Sequence, residues 1–179
     1  VAFLGLETAT AHAAPAVWRL VQTPWTDGVA INDIAAAGPS FAAVAGNEGR
    51  VAVSMNGGGS WTLRAPSANG FDADLYGVAF RDATRGVVAG AGGVLLVTPD
   101  GGITWSVPTF APEAPSTDLN DVAMAGTRVV AVGDGGVILE STTGGASWSE
   151  LSGPTTADLQ SVAVAEDGTI IVGTDAVDV

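Results

Sequence analysis

Ser54-Met-Asn-Gly-Gly-Gly-Ser-Trp61, Thr98-Pro-Asp-Gly-Gly-Ile-Thr-Trp105 and Ser141-Thr-Thr-Gly-Gly-Ala-Ser-Trp148 superimpose without a gap. Their tryptophans stand 44 and 43 positions apart, and Trp18 lies 43 before Trp61. A fixed period of about 40–50 residues is the mark of propeller blades or of a repeat array. Working outward, each copy opens on a matching tetrapeptide: Ile31-Asn-Asp-Ile34, Leu75-Tyr-Gly-Val78, Leu119-Asn-Asp-Val122 and Leu159-Gln-Ser-Val162. Three of these follow directly on Asp74, Asp118 or Asp158. A Gly-rich turn then separates two apolar runs, as in Ala45-Gly-Asn-Glu-Gly49, Ala89-Gly-Ala-Gly-Gly93 and Val132-Gly-Asp-Gly-Gly136. Gly, Asn and Asp supply the positive φ that tight hairpins demand. The third copy reads as strand A over Leu119 to Ala125, B over Arg128 to Val132, C over Val137 to Ser141 and D over Ser147 to Leu151. Four antiparallel strands per period make a β-propeller blade, and the class is all-β.

Composition agrees with that class and removes several functions. The chain has 179 residues, one domain's worth, with 25 Gly and 9 Pro, which helices tolerate badly. There are 19 acidic residues against 6 basic ones, all of them Arg, for a net charge of -13. A nucleic-acid footprint needs clustered basic residues, and none cluster here. Without cysteine and with His12 as the single histidine, disulfides, thiolate catalysis and Cys-ligated metals are excluded. The hydrophobic fraction is 47%, yet no apolar run reaches the roughly 18 residues a spanning helix needs.

The octapeptides resemble the Asp-box, Ser/Thr-x-Asp-x-Gly-x-Thr/Ser-Trp. From Val17 onward the period resembles the repeat of the photosystem II stability and assembly factor family, within the sialidase-like (BNR) propellers. The resemblance implies structural roles for Ser54, Asn56, Gly58 and Trp61, for Thr98, Asp100, Gly102 and Trp105, and for Ser141, Thr143, Gly145 and Trp148. The Asp or Asn would cap the C to D hairpin, the Gly would permit the reversal, and the Trp would wedge between blades. Only Asp100 keeps the aspartate, and Thr143 makes the third box the expected loosest turn.

Val17 to Pro24, with Trp18 aligned to Trp61, reads as a lone strand D, and Leu159 to Val179 as A, B and a start of C. The two ends complement each other. We therefore expect four blades in a ring closed by Val17 to Gln22 pairing near Ala176 to Val179, the alternative being part of a larger ring. Residues 17–179 form the propeller. Residues 1–16 are an apolar, Ala-rich tail whose Ala11-His-Ala13 looks like a secretory cleavage site, which points to an extracytoplasmic location. The other reading of that tail is a segment that docks into a partner.

No catalytic constellation emerges. A sialidase needs an arginine cluster, a tyrosine nucleophile and a carboxylate. The lone Tyr76 instead fills a repeat position taken elsewhere by Asn120 and Gln160, and Arg19, Arg50, Arg64, Arg81, Arg85 and Arg128 fall at unrelated ones. Asp33, Asp74, Asp118, Asp121 and Asp158 recur where strand A begins, but without calcium-loop spacing, so they read as turn caps rather than metal ligands. No cofactor is expected. The aromatic and apolar residues outside the repeat, Phe3, Leu4, Leu6, Trp25, Phe71 and Phe110, are the candidate partner contacts. The resemblance implies a non-enzymatic interaction module that scaffolds or stabilises a membrane-associated, photosynthetic protein complex. The competing expectation is a carbohydrate-binding or sialidase-like propeller piece.

Overall fold

The computed structural model describes Trp25 and residues 27–66, 70–111, 113–153 and 155–175. All four repeat openings begin a strand. The first blade is a four-stranded meander of β1 (Ile31–Ala37), β2 (Phe41–Gly46), β3 (Arg50–Ser54) and β4 (Thr62–Leu63). The second holds β5 (Leu75–Phe80), β6 (Gly86–Gly90) and β7 (Leu95–Thr98). Its fourth strand is reduced to one bridge, in which the Ser106 amide donates to the Val97 carbonyl at 3.0 Å and the Val97 amide donates back at 2.9 Å.

The third blade departs from the expected four strands. To β9 (Leu119–Ala125), β10 (Arg128–Gly133), β11 (Ile138–Ser141) and β12 (Ser147–Leu151) it adds β8 (Thr109–Ala111). This strand lies parallel to β12, with Phe110 opposite Trp148. β8 is thus the outer edge of this sheet, and its half-buried Phe110, a residue outside the repeat, packs against the core between blades two and three. The fourth blade shows β13 (Leu159–Val164) and β14 (Ile170–Thr174), antiparallel.

Alternation along each strand divides side chains between a front face, toward the preceding blade, and a back face, toward the next. Phe41, Ala43, Ala45, Val51 and Val53 of the first blade meet Leu75, Val78, Phe80, Val88, Leu96 and Trp105 of the second. Ala79, Val87, Ala89 and Leu95 meet Leu119, Val122, Leu139 and Trp148 of the third. Val130, Val132 and Ile138 then meet Leu159 and the half-buried Val162, Val164, Ile170 and Val172 of the fourth. The described residues share no single core but form one apolar layer per junction.

Successive inner strands, β1 to β5, β5 to β9 and β9 to β13, pack side by side, whereas β1 and β13 do not pack on each other in this way. The described residues form an open arc of four blades. The expected closure through Val17 to Gln22 and Ala176 to Val179 lies outside the described residues, as does the tail carrying Phe3, Leu4 and Leu6.

Candidate interaction surface

The three boxes build the same turn from different side chains. Ser54 Oγ accepts the Gly58 amide at 2.8 Å, and Asn56 Oδ1 accepts the Ser60 amide at 2.8 Å. Thr98 Oγ1 accepts the Gly102 amide at 2.7 Å, while Asp100 Oδ1 and Oδ2 accept the Thr104 amide at 2.8 Å and hydroxyl at 2.7 Å. In the third box Ser141 Oγ takes the Gly145 amide and Thr143 Oγ1 takes the Ser147 amide, both at 3.0 Å. Each turn is then fastened to its own blade's A–B turn: Gly57 donates to Ser40 at 2.7 Å, Gly101 to Thr84 at 2.7 Å and Gly144 to Thr127 at 2.8 Å.

The tryptophans are not equivalent, although the repeat suggests that they are. Trp105 and Trp148 are buried between blades, with Nε1 donating at 2.8 Å to the Arg64 and Gly145 carbonyls respectively. Trp61 projects from the front of the first blade, where no described blade precedes it. It is half-buried, and its indole N–H is out of water with no partner among the described residues. Trp25, also half-buried, has an indole N–H in the same condition. Phe71 is half-buried against the core between blades one and two. Phe71 and Phe110 therefore contribute to the fold's own packing.

The recurring aspartates serve two purposes. Asp74, Asp118 and Asp158 reach back to the preceding blade's B–C turn and accept the amides of Glu48 at 2.9 Å, Gly92 at 2.8 Å and Gly135 at 2.8 Å. Asp33 and Asp121 do not simply cap turns, contrary to the sequence reading, but bridge inner strands. Each accepts the next residue's amide with one oxygen and, with the other, the amide of Val78 or Val162 in the following blade, all at 2.7 Å. Beside them, Asn32 and Asn120 donate across the same junctions to the Leu75 and Leu159 carbonyls at 2.8 and 3.0 Å. The signal for these latches was present in the Asn-Asp dipeptide shared by the first and third openings. The second opening has Gly77 instead, where a Cβ would lie 2.8 Å from the Val122 nitrogen, so only glycine lets those strands approach.

The aspartate latches share one rim with the B–C turns and D–A loops. It carries Asp158 and, close enough to act on the half-buried Tyr76, Asp74, Asp118 and Asp134. Burial, followed by Asp118, Asp74 and Asp134, raises the Tyr76 pKa above the usual phenol value. A cleft of about 530 Å³ opens there, walled by Asp27, Asn47, Glu48 and Asp74. On the opposite face a cleft of about 400 Å³ runs between Arg81 and Arg85 of the second blade and Thr127 and Thr143 of the third. The arginines are dispersed among acids: Arg50 pairs with Asp27 at 2.7 Å and Glu48 at 3.0 Å, Arg81 with Asp82 at 2.9 Å and Arg128 with Glu140 at 2.6 Å. Among the described residues no group of three or more His, Cys, Asp or Glu side chains is placed to hold a metal ion.

The family model of the photosynthesis system II assembly factor YCF48 matches residues 67–156, half of the chain. The chain belongs to the YCF48 family. No curated protein sequence matches it. Among solved structures, "YCF48 bound to D1 peptide" is similar over 87% of this chain and 49% of that one, at 20% identity and a TM-score of 0.67. YCF48 from Cyanidioschyzon merolae is similar over 86% and 53%, at 23% identity and a TM-score of 0.67. The WD40 β-propeller domain of Doa1 follows at 15% identity and a TM-score of 0.63, over 80% and 47%. At these identities the likeness concerns the fold, which is that of a β-propeller. The chain spans about half the length of the YCF48 structures it matches. Among the described residues no helix is long and apolar enough to cross a membrane.

Proposed function

We propose that this chain is a non-enzymatic binding module that scaffolds or stabilises photosystem II subunits during assembly, acting from the extracytoplasmic side of the membrane. The observation that carries the reading is the YCF48 family match over residues 67–156. The signal-like residues 1–16 support the location. The chemistry of the described side chains supports binding over catalysis, because the recurring carboxylates are engaged with backbone amides and three of the arginines with neighbouring acids.

The partner is a segment of a photosystem II protein, the related YCF48 having been solved with a D1 peptide. The rim of Asp74, Asp118, Asp134 and Asp158 favours a segment that brings positive charge, and such binding weakens as salt rises. Calorimetric titration of the chain with a D1 peptide should show saturable binding, reduced by added salt. Detergent extracts of photosynthetic membranes passed over the immobilised chain should retain photosystem II subunits. Absence of both signals would remove this reading.

A further inference from the structure

We propose that the cleft between blades two and three, on the face opposite the acidic rim, binds a singly charged carboxylate carried on a short apolar stem. Its volume is about 400 Å³, and none of its described lining residues is acidic, although acidic residues outnumber basic ones 19 to 6 in the chain. Clefts elsewhere hold carboxylates. Asp27, Glu48 and Asp74 line the one on the rim, Glu113 and Glu150 the one beside Pro115, and Glu166 the one beside Phe80.

Two departures from the repeat meet in this cleft. Of the four described A–B turns, the second blade's Arg81-Asp-Ala-Thr-Arg85 alone carries arginine, against Gly38-Pro-Ser40, Gly126-Thr127 and Ala165-Glu-Asp-Gly-Thr169. Across the cleft stands the third box, in which the Thr143 hydroxyl replaces the Asn56 amide and the Asp100 carboxylate of the other two. That box is held close to its surroundings: the Gly144 amide donates to the Thr127 carbonyl at 2.8 Å, and a Cβ on Gly145 would lie 2.9 Å from Val97 Cγ1 of the second blade. An aspartate at position 143 would set a negative charge beside the arginines. Threonine leaves them available to a ligand.

The state of the two arginines selects the ligand. Asp82 Oδ1 accepts the Thr84 and Arg85 amides, both at 2.9 Å, and Oδ2 accepts Arg81 Nη2 at 2.9 Å, so the turn is fixed and the Arg81 charge is compensated. The Thr84 hydroxyl and the Arg85 and Thr84 amides hold the Asp82 carboxyl well below the usual carboxylate range, so it stays charged. The exposed Arg85 guanidinium has no hydrogen-bond or ion-pair partner among the described residues. One uncompensated guanidinium matches one carboxylate, whose two oxygens fit its planar fork. A dianion would bring surplus negative charge to a chain whose net charge is already -13. Val97, Pro99 and Ala146 supply an apolar wall for the stem.

Butyrate added to the isotope-labelled chain at constant ionic strength should shift the Arg85, Thr127 and Gly144 amide signals saturably, and inorganic phosphate should bind less tightly. Arg85→Ala, at an exposed position, should weaken butyrate binding about tenfold or more, the scale of a lost charge-assisted hydrogen bond. Thr143→Asp should abolish binding by placing a carboxylate in the cleft. It should not lower the unfolding midpoint, because the new side chain can accept the Ser147 amide as Asp100 accepts that of Thr104. Loss of binding in a variant at least as stable as the parent separates a blocked site from a damaged fold. Absence of saturable shifts in the parent chain overturns the proposal. So do tighter binding of phosphate, or butyrate shifts that survive both substitutions.

Discussion

The Asp33 carboxylate accepts the Val78 amide at 2.7 Å and so fastens the inner strand of the first blade to that of the second. Asp33→Ala would leave that amide without its acceptor inside a junction, and an orphaned buried donor costs about 1–3 kcal/mol. Asp33→Asn keeps one acceptor oxygen and should cost less. Urea denaturation of the two variants beside the parent chain measures the difference, and Asp121 should repeat the result through Val162.

Opposite responses to acid are expected from two groups of aspartates. Burial raises the pKa values of Asp33 and Asp121 above 3.8, although each accepts two amides, and Asp33 raises Asp121 further. A raised folded value means that this contribution to stability is full below the unfolded value and is lost as pH rises through the folded one. Burial pulls Asp100 upward too, but the Thr104 amide and hydroxyl and the Thr98 hydroxyl outweigh it and leave the pKa lowered. Its contribution is present above 3.8 and is lost as pH falls through the folded value. Unfolding midpoints on both sides of pH 3.8 should therefore show Asp33→Asn flattening the decline above it. Asp100→Asn should flatten the acid-side loss.

Trp105→Ala and Trp148→Ala should each cost about 3–5 kcal/mol, because truncating a buried aromatic wedge leaves a cavity that the sheets cannot close. Trp61→Ala should cost less, since no described blade stands in front of it. Thermal unfolding followed by circular dichroism ranks the three variants.

Glu48 occupies the left-handed turn position, with φ of 59°, that is filled by Gly92 and Gly135 in the next two blades. Glu48→Gly should raise stability by about 0.5–1 kcal/mol by relieving its backbone. The exposed ion pair to Arg50 that it gives up contributes little. Equilibrium denaturation of this single variant is sufficient.

Legibility from sequence followed the physics of the repeat. The boxes and the Leu or Ile openings located every described inner strand, because turn chemistry and alternation are local properties of the chain. The lower burial of Trp61 beside Trp105 and Trp148 was not legible, because it depends on what stands in front of the first blade, which its own octapeptide cannot reveal. β8 was invisible because Thr109 to Ala111 has no counterpart in the other copies and, among the described strands, pairs only with β12. Asp33 and Asp121 looked like turn caps because their Val78 and Val162 partners lie a whole repeat away.

The open arc is the central claim about how the four described blades are arranged, and a pair of distances tests it most directly. The chain has no cysteine. Spin labels can therefore be placed on exposed A–B turns at Ser40 and Glu166, the first and fourth blades, and at Thr127 and Glu166, the third and fourth. With labelled protein diluted in unlabelled chain, pulsed dipolar spectroscopy reads distances within one copy. An open arc predicts that the Ser40 to Glu166 distance clearly exceeds the Thr127 to Glu166 distance. Equal distances would mean that four blades close on themselves and would contradict the account.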